Sequence, residues 1–243
     1  MAALLAAAIV TVIVIGVCLD RVIKKAVEIY GPQMTQTSVG VDTVHLSLLT
    51  GSAKVKGLVV GNPSGYKMPD AIAVGTIAVG VDPASVFSRK VVFRSIRLES
   101  PEITFEGGLG GNNLGQILDN VNSPGKSSGT LSTNAVTQPR SEKKYEVDDL
   151  VITGAKVQVV LMGTQERQVI SLPDIHLTNL GTGGEGITAS DLAQRVLAAI
   201  TSATIESVAK TAANFDKNAA TLKRMGANTG KQVGNALQNL LGK

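Results

Sequence analysis

Apolar and polar residues alternate with a period of two through most of residues 39–180, which predicts strands rather than helices. The clearest case is VVFRSIRLESPEITF, Val91 to Phe105: Phe93, Ile96 and Leu98 lead into the pair Ser100 and Pro101, and Ile103 and Phe105 follow it. The same spacing recurs as Val55, Leu58, Val60, Asn62 and Pro63, and again as Val147, Leu150, Ile152, Gly154 and Ala155, the last copy continuing into Val157 and Val159. Each unit reads as strand, tight break, strand. Residues before proline avoid the helical region and Gly154 permits positive φ, so the breaks have a backbone cause. A two-strand unit cannot bury an apolar face alone, so the copies are expected to line up in one antiparallel sheet with a continuous apolar side.

The remaining pattern fills in around this unit. Val44, Leu46 and Leu48 alternate with His45 and Ser47, and NPSGYKMPD, Asn62 to Asp70, reads as a long turn. Ala71 to Val81 is apolar on both faces, which marks an interior strand covered on both sides or one whose second face meets lipid. After Gly111, Asn112 and Asn113, the residues Ile117, Leu118 and Val121 predict a short amphipathic helix, and residues 122–144 are polar and low in apolar residues, a flexible insertion. Thr188 and Asp191 form a capping box ahead of the stripe Leu192, Val196, Ile200 and Ala203, with a second stripe from Ile205 to Leu222. At the other end, Ala2 to Leu19 is unbrokenly apolar, about 18 residues or roughly 27 Å of helix, and predicts an uncleaved membrane-spanning anchor whose helix stops at Gly31 and Pro32.

The expected fold class is therefore α+β: an N-terminal transmembrane helix, a curved, mostly antiparallel β-sheet built from strand-turn-strand repeats, and C-terminal amphipathic helices. The expected segments are 1–30 for the anchor and its extension, 39–187 for the sheet with its insertion at 122–144, and 188–243 for the helices.

Composition narrows the chemistry. Of 243 residues 44% are hydrophobic, enough for a substantial core, but only 3% are aromatic, which leaves few stacking platforms for bases or sugars. The net charge of +4 is modest and its basic residues are scattered except near Arg21, Lys24 and Lys25 and along the C-terminal helices, so a nucleic-acid partner is not expected. Cys18 is the single cysteine and offers no disulfide or thiolate site. The two histidines, His45 and His176, alternate with leucines on strands, away in sequence from other ligands, so no metal and no cofactor are expected. Glu99, Glu102 and Glu106 straddle the central break and Asp148 and Asp149 stand at the matching place in the third copy; these acids solubilise one face of the sheet and no catalytic residue is assigned. No nucleotide loop, G-x-S-x-G or H-E-x-x-H is present, and the chain is not expected to be an enzyme.

Taken together, an N-terminal apolar helix, VHLSLLTGSAKVKGLVVGNPSGY, VDPASVFSRKVVFRSIRLESPEITFE and the corner Gly111, Asn112, Asn113 resemble the N-terminal module of the AsmA-like proteins over roughly residues 1–120. These bacterial envelope proteins are related to the repeating β-groove lipid-transfer proteins. Leu114 departs from the pattern, standing where an aromatic is expected. The resemblance implies a single-pass bacterial inner-membrane protein with its body in the periplasm, whereas Arg21, Lys24 and Lys25 on the C-terminal side of the apolar run favour the opposite orientation. It also implies a non-catalytic β-sheet that binds or shelters lipid or another hydrophobic ligand. The lipid-facing positions expected on the sheet are Ile72, Val74, Ile77, Val79, Ile96, Leu98, Ile103 and Phe105. The partners expected are membrane lipid and, in the alternative reading of the chain as a scaffold, other subunits of a membrane complex held through the anchor and the C-terminal helices.

Overall fold

The computed structural model describes residues 2–108, 111–122, 143–161 and 167–213, with side chains from Cys18 onward. Met1–Thr204 group into one compact unit and Ile205–Lys243 into another; the architecture below belongs to the first, except for the part of the last helix from residue 205 on. Helix α1 (Ala2–Thr35) precedes β1 (Val39–Gly40), β2 (Thr43–Ser47), β3 (Ser52–Gly61) and β4 (Asp70–Val81). A 3₁₀ turn at Pro83–Ser85 leads to β5 (Lys90–Glu99), β6 (Glu102–Gly108), β7 (Gly111–Asn112) and helix α2 (Asn113–Asn122). There follow β8 (Lys144–Thr153), β9 (Lys156–Leu161), β10 (Arg167–Ser171), β11 (Ile175–Leu180) and a helix, α3, over residues 189–213.

Among the described residues eleven strands form one sheet. The central strand β4 carries β3 along one side; on its other side its C-terminal half pairs with β5 and its N-terminal half with β6. Beyond them lie β8 and β9, then β11 and β10. The sheet is mixed: eight of the ten strand pairings described are antiparallel, but the second and third copies, expected to line up in an antiparallel sheet, pair in parallel, β5 with β8 and β6 with β9. The cause is a crossover. After β6 the chain passes through β7 and α2 before returning as β8, and a long connection of this kind lets the second copy of a unit lie beside the first in the same direction.

That pairing matches the repeat residue by residue. Phe93, Ile96 and Leu98 stand opposite Val147, Leu150 and Ile152, and Ile103 and Phe105 opposite Val157 and Val159. The corners coincide too: Ser100 (φ 50°) and Gly154 (φ 63°) both adopt the left-handed conformation, and the Ser100 N–H donates to Thr153 O at 2.8 Å while the Lys156 N–H donates to Pro101 O at 3.0 Å. The first copy breaks elsewhere than its spacing suggested. Gly57 (φ 63°), not Asn62, is its left-handed residue, and Asn62 instead opens the turn to β4.

Helix α1 runs along the β1–β2 edge. The Leu46 N–H donates to Asp20 Oδ1 at 2.7 Å and Lys24 Nζ to Asp42 O at 2.8 Å, so edge groups that would otherwise recruit another strand are occupied. The helix does not stop at Pro32 but continues to Thr35. Its end is supported by three bonds: Gln36 (φ 55°) donates its N–H to Pro32 O at 2.9 Å, Thr35 Oγ1 donates to Gly31 O at 2.9 Å, and Asn120 Nδ2 of α2 donates to Thr35 O at 2.8 Å. Among the described residues no helix is long and apolar enough to cross a membrane. The expected transmembrane helix is therefore not supported, and the side chains of its apolar run before Cys18 lie outside those described. Residues 123–142 of the insertion, 162–166, and the helical stripes beyond residue 213 also lie outside the described residues.

At the start of α3 the capping box forms reciprocally: the Asp191 N–H donates to Thr188 Oγ1 at 3.0 Å and the Thr188 N–H to Asp191 Oδ2 at 3.2 Å. These bonds hold the Asp191 carboxyl below the ordinary aspartate value.

A Cβ added at Gly154 would stand 3.2 Å from Ser100 Oγ on a backbone at φ 63°. Gly154→Ala is expected to cost about 1–2 kcal/mol from the left-handed conformation, lowering Tm by roughly 2–8 °C. Ser100→Gly at the partner corner should leave Tm unchanged or raise it. Calorimetry of the two variants checks this, and a Gly154→Ala protein as stable as the parent would show that the corner is not strained.

Candidate functional site

Between the corner row and the bulge near Arg94, the register arranges the apolar residues of six strands into two lateral rows. One runs Val44, Val55, Ile77, Leu98, Ile152, Ile175, and the other Leu46, Ala53, Val79, Ile96, Leu150, Leu177. Paired residues point to the same face, so both rows share one side. Burial is uneven along them. Leu150 (2% exposed) and Ile152 (0%) are closed over at the β8 side, whereas Ala53, Val55, Ile77, Val79 and Ile96 in the middle are only half-buried. The result is an apolar strip, floored by β3, β4 and β5, that retains contact with solvent.

The eight positions expected to face lipid divide between the two ends of the sheet. Ile77, Val79 and Ile96 lie on the strip, and Leu98 lies in its row but is 9% exposed. Ile72, Val74, Ile103 and Phe105 belong to the other end, where the row Val60, Ile72, Ile103, Val157 continues into Ile170. There α2 packs against β6 and buries Leu114, Ile117 and Val121. Ile103 (1% exposed) and Phe105 (0%) are packed core, with no surface to offer a ligand. Period two identified apolar positions at both ends but carried no information on which end a helix covers. The neighbours Ala53 and Val55 were missed, since in sequence they look like any short alternating run.

Acidic and histidine side chains take structural places. Glu106 is not a solubilising surface acid: it is 5% exposed and accepts the Lys67 N–H at 2.7 Å, the Met68 N–H at 2.9 Å and Asn62 Nδ2 at 3.4 Å. Asn113, fully buried, completes the cluster by accepting the Glu106 N–H at 2.9 Å and donating to Asn62 Oδ1 at 2.7 Å and Thr104 O at 2.8 Å. The long turn 62–69 is thus fastened to β6 and α2 through a buried carboxylate satisfied by N–H donors, the condition under which such a charge is tolerated. Burial, with the Glu106 charge adding to it, pushes the nearby Tyr66 phenol above its ordinary value. Each histidine sits beside an aspartate brought to it by the fold, His176 by Asp149 and His45 by Asp20 at 3.7 Å. Both histidines are largely exposed, and among the described residues no three His, Cys, Asp or Glu side chains converge to hold a metal.

Comparison of the chain with protein-family models, with curated proteins and with solved structures finds no match.

Glu106→Leu would leave the Lys67 and Met68 N–H groups without an acceptor, at an expected cost of about 2–3 kcal/mol. Hydrogen exchange should register it as lost protection at those two amides, together with an earlier denaturant midpoint. Unchanged protection at Lys67 and Met68 would mean that the turn is held by something else.

Proposed function

We propose that this protein is a non-catalytic binder that shelters a hydrophobic chain, such as the acyl chain of a lipid, on the apolar strip across β2 to β5. The observation that carries this reading is the pair of lateral rows whose central members, Ala53, Val55, Ile77, Val79 and Ile96, stay only partly buried while Leu150 and Ile152 on β8 and the row ends Val44 and Ile175 are closed over. Contiguous apolar surface of this kind is seldom left uncovered in a protein that has nothing to put on it. Its width suits a chain: each strand adds about 4.8 Å across the sheet, and each methylene removed from water contributes about 0.8 kcal/mol. The strip offers aliphatic side chains only, so it selects by shape and hydrophobicity and supplies no group for bond-making. The reading rests on no membrane span and on no family membership.

Organic extraction of the full chain followed by mass spectrometry should recover lipid, and the protein should take up a fluorescent fatty acid. Val79→Glu and Ile77→Glu place a carboxylate in the strip and are expected to weaken uptake roughly tenfold or more, where each decade is about 1.4 kcal/mol. Circular dichroism controls for folding. A protein that carries no lipid and takes up no probe would remove the proposal.

A further inference from the structure

The opposite face of the same strands has a different chemistry. There the register sets out the row His45, Lys54, Ala78, Arg97, Val151, His176, with Lys56 and Thr76 to one side and Ser47, Ser52, Gly80 and Ser95 to the other. Lys54, Lys56 and Arg97, with His45 at the rim, line a depression of about 600 Å³ whose floor is made by Ala78 and Gly80 and whose margin carries the hydroxyls of Ser52 and Ser95. The central residues of the floor are small, and the Ser95 hydroxyl lies against Gly80, 2.8 Å from where a Cβ would stand. Lys54 and Arg97 are two strands apart, about 10 Å, a gap that their long side chains span from either side.

Among the described residues none of these three cations has an ionic partner, although Lys24, Lys90, Arg94 and Lys210 all do. The acid in the lining, Asp20, is committed to the Leu46 N–H and to His45. Glu99, two residues beyond Arg97 on the same face, is exposed and outside the depression. Three cations against the single carboxylate of Asp20 leave the lining net positive over a floor without acids, with serine hydroxyls at its margin, which complements a compact anion, and Arg provides the planar fork that binds phosphate oxygens in pairs.

From this we infer that the depression is a phosphate-binding site, taking the phosphate group of a soluble phosphoester or of a lipid headgroup. Leu46, Ala53 and Val79 of the apolar strip also border the depression, but the cationic side chains alternate with them to the other face, so the two proposals are tested through different side chains and either can fail without the other. Titration of the full chain with inorganic phosphate, followed by amide and arginine side-chain NMR, should shift resonances of Lys54, Ala78, Gly80 and Arg97. In the double variant Lys54→Ala, Arg97→Ala, both substitutions being at exposed positions, the apparent affinity should fall roughly tenfold or more, as expected for loss of a charged hydrogen bond. Ala78→Glu, which puts a carboxylate in the floor, should abolish the shifts while leaving the melting curve in place. Sedimentation with vesicles of phosphatidylcholine alone and with phosphatidylglycerol added separates the sources. Recruitment to the second that is lost in the double variant assigns the phosphate to a headgroup; phosphate binding without recruitment assigns it to a soluble ester. Absence of shifts with phosphate together with no recruitment, or shifts that persist undiminished in the double variant, would overturn the inference.

Discussion

The parallel register between β5–β6 and β8–β9 is the constraint on which the rest of this sheet depends. It sets corner against corner, Ser100 beside Gly154, so that the left-handed residue interrupting one strand falls next to the one interrupting its neighbour. Were the pairing to slip by one residue, each corner would face a regular strand residue, and every side chain of the slipped strand would change face. Hydrogen bonds on both sides of the corner, from Ser100 to Thr153 and from Lys156 to Pro101, carry the ladder past the interruption. A parallel pair also requires a crossover, and here the crossover is put to use: α2, which lies on it, closes the apolar side of β6 and also caps the end of α1 through Asn120.

Much of this was legible in the sequence, for reasons that particular residues make plain. The second and third copies could be matched because both carry the same alternation on each side of a conformationally special pair, and strands that share a pattern can share a register. Their relative direction could not be read, since period two is the same forwards and backwards. The first copy misled because Val55, Leu58 and Val60 fit the spacing while the residue that turns left-handed, Gly57, sits between them as an unremarkable glycine. The Thr188 and Asp191 capping box was readable because its partners are three residues apart. The Glu106 cluster was not, because its members lie on a turn, a strand and a helix far apart in the chain, and nothing in the local pattern distinguishes a buried glutamate from the exposed Glu102 beside it.

The candidate site was half-legible for a related reason. Apolar residues at Ile77, Val79, Ile103 and Phe105 all announce burial, and only the position of α2 over β6 separates those that form core from those that remain partly open. Hydrophobicity states a preference for being covered. What does the covering is a property of topology.

At the β2–β5 end of the sheet, one set of strands serves two chemistries without conflict because successive residues point opposite ways. Lys54 and Lys56 flank Val55, and Ala78 lies between Ile77 and Val79, so a face of aliphatic rows and a face of cations and small residues are separated by one layer of backbone. The small residues at Ala78 and Gly80 are what make this asymmetric: they lie in the floor of the depression on the polar face, while the apolar face at Ile77 and Val79 stays full. A charge introduced on one side therefore reaches the other only through the sheet. The two faces can accordingly be altered one at a time, and the strands between them fixed by the corner register give both a common, rigid support.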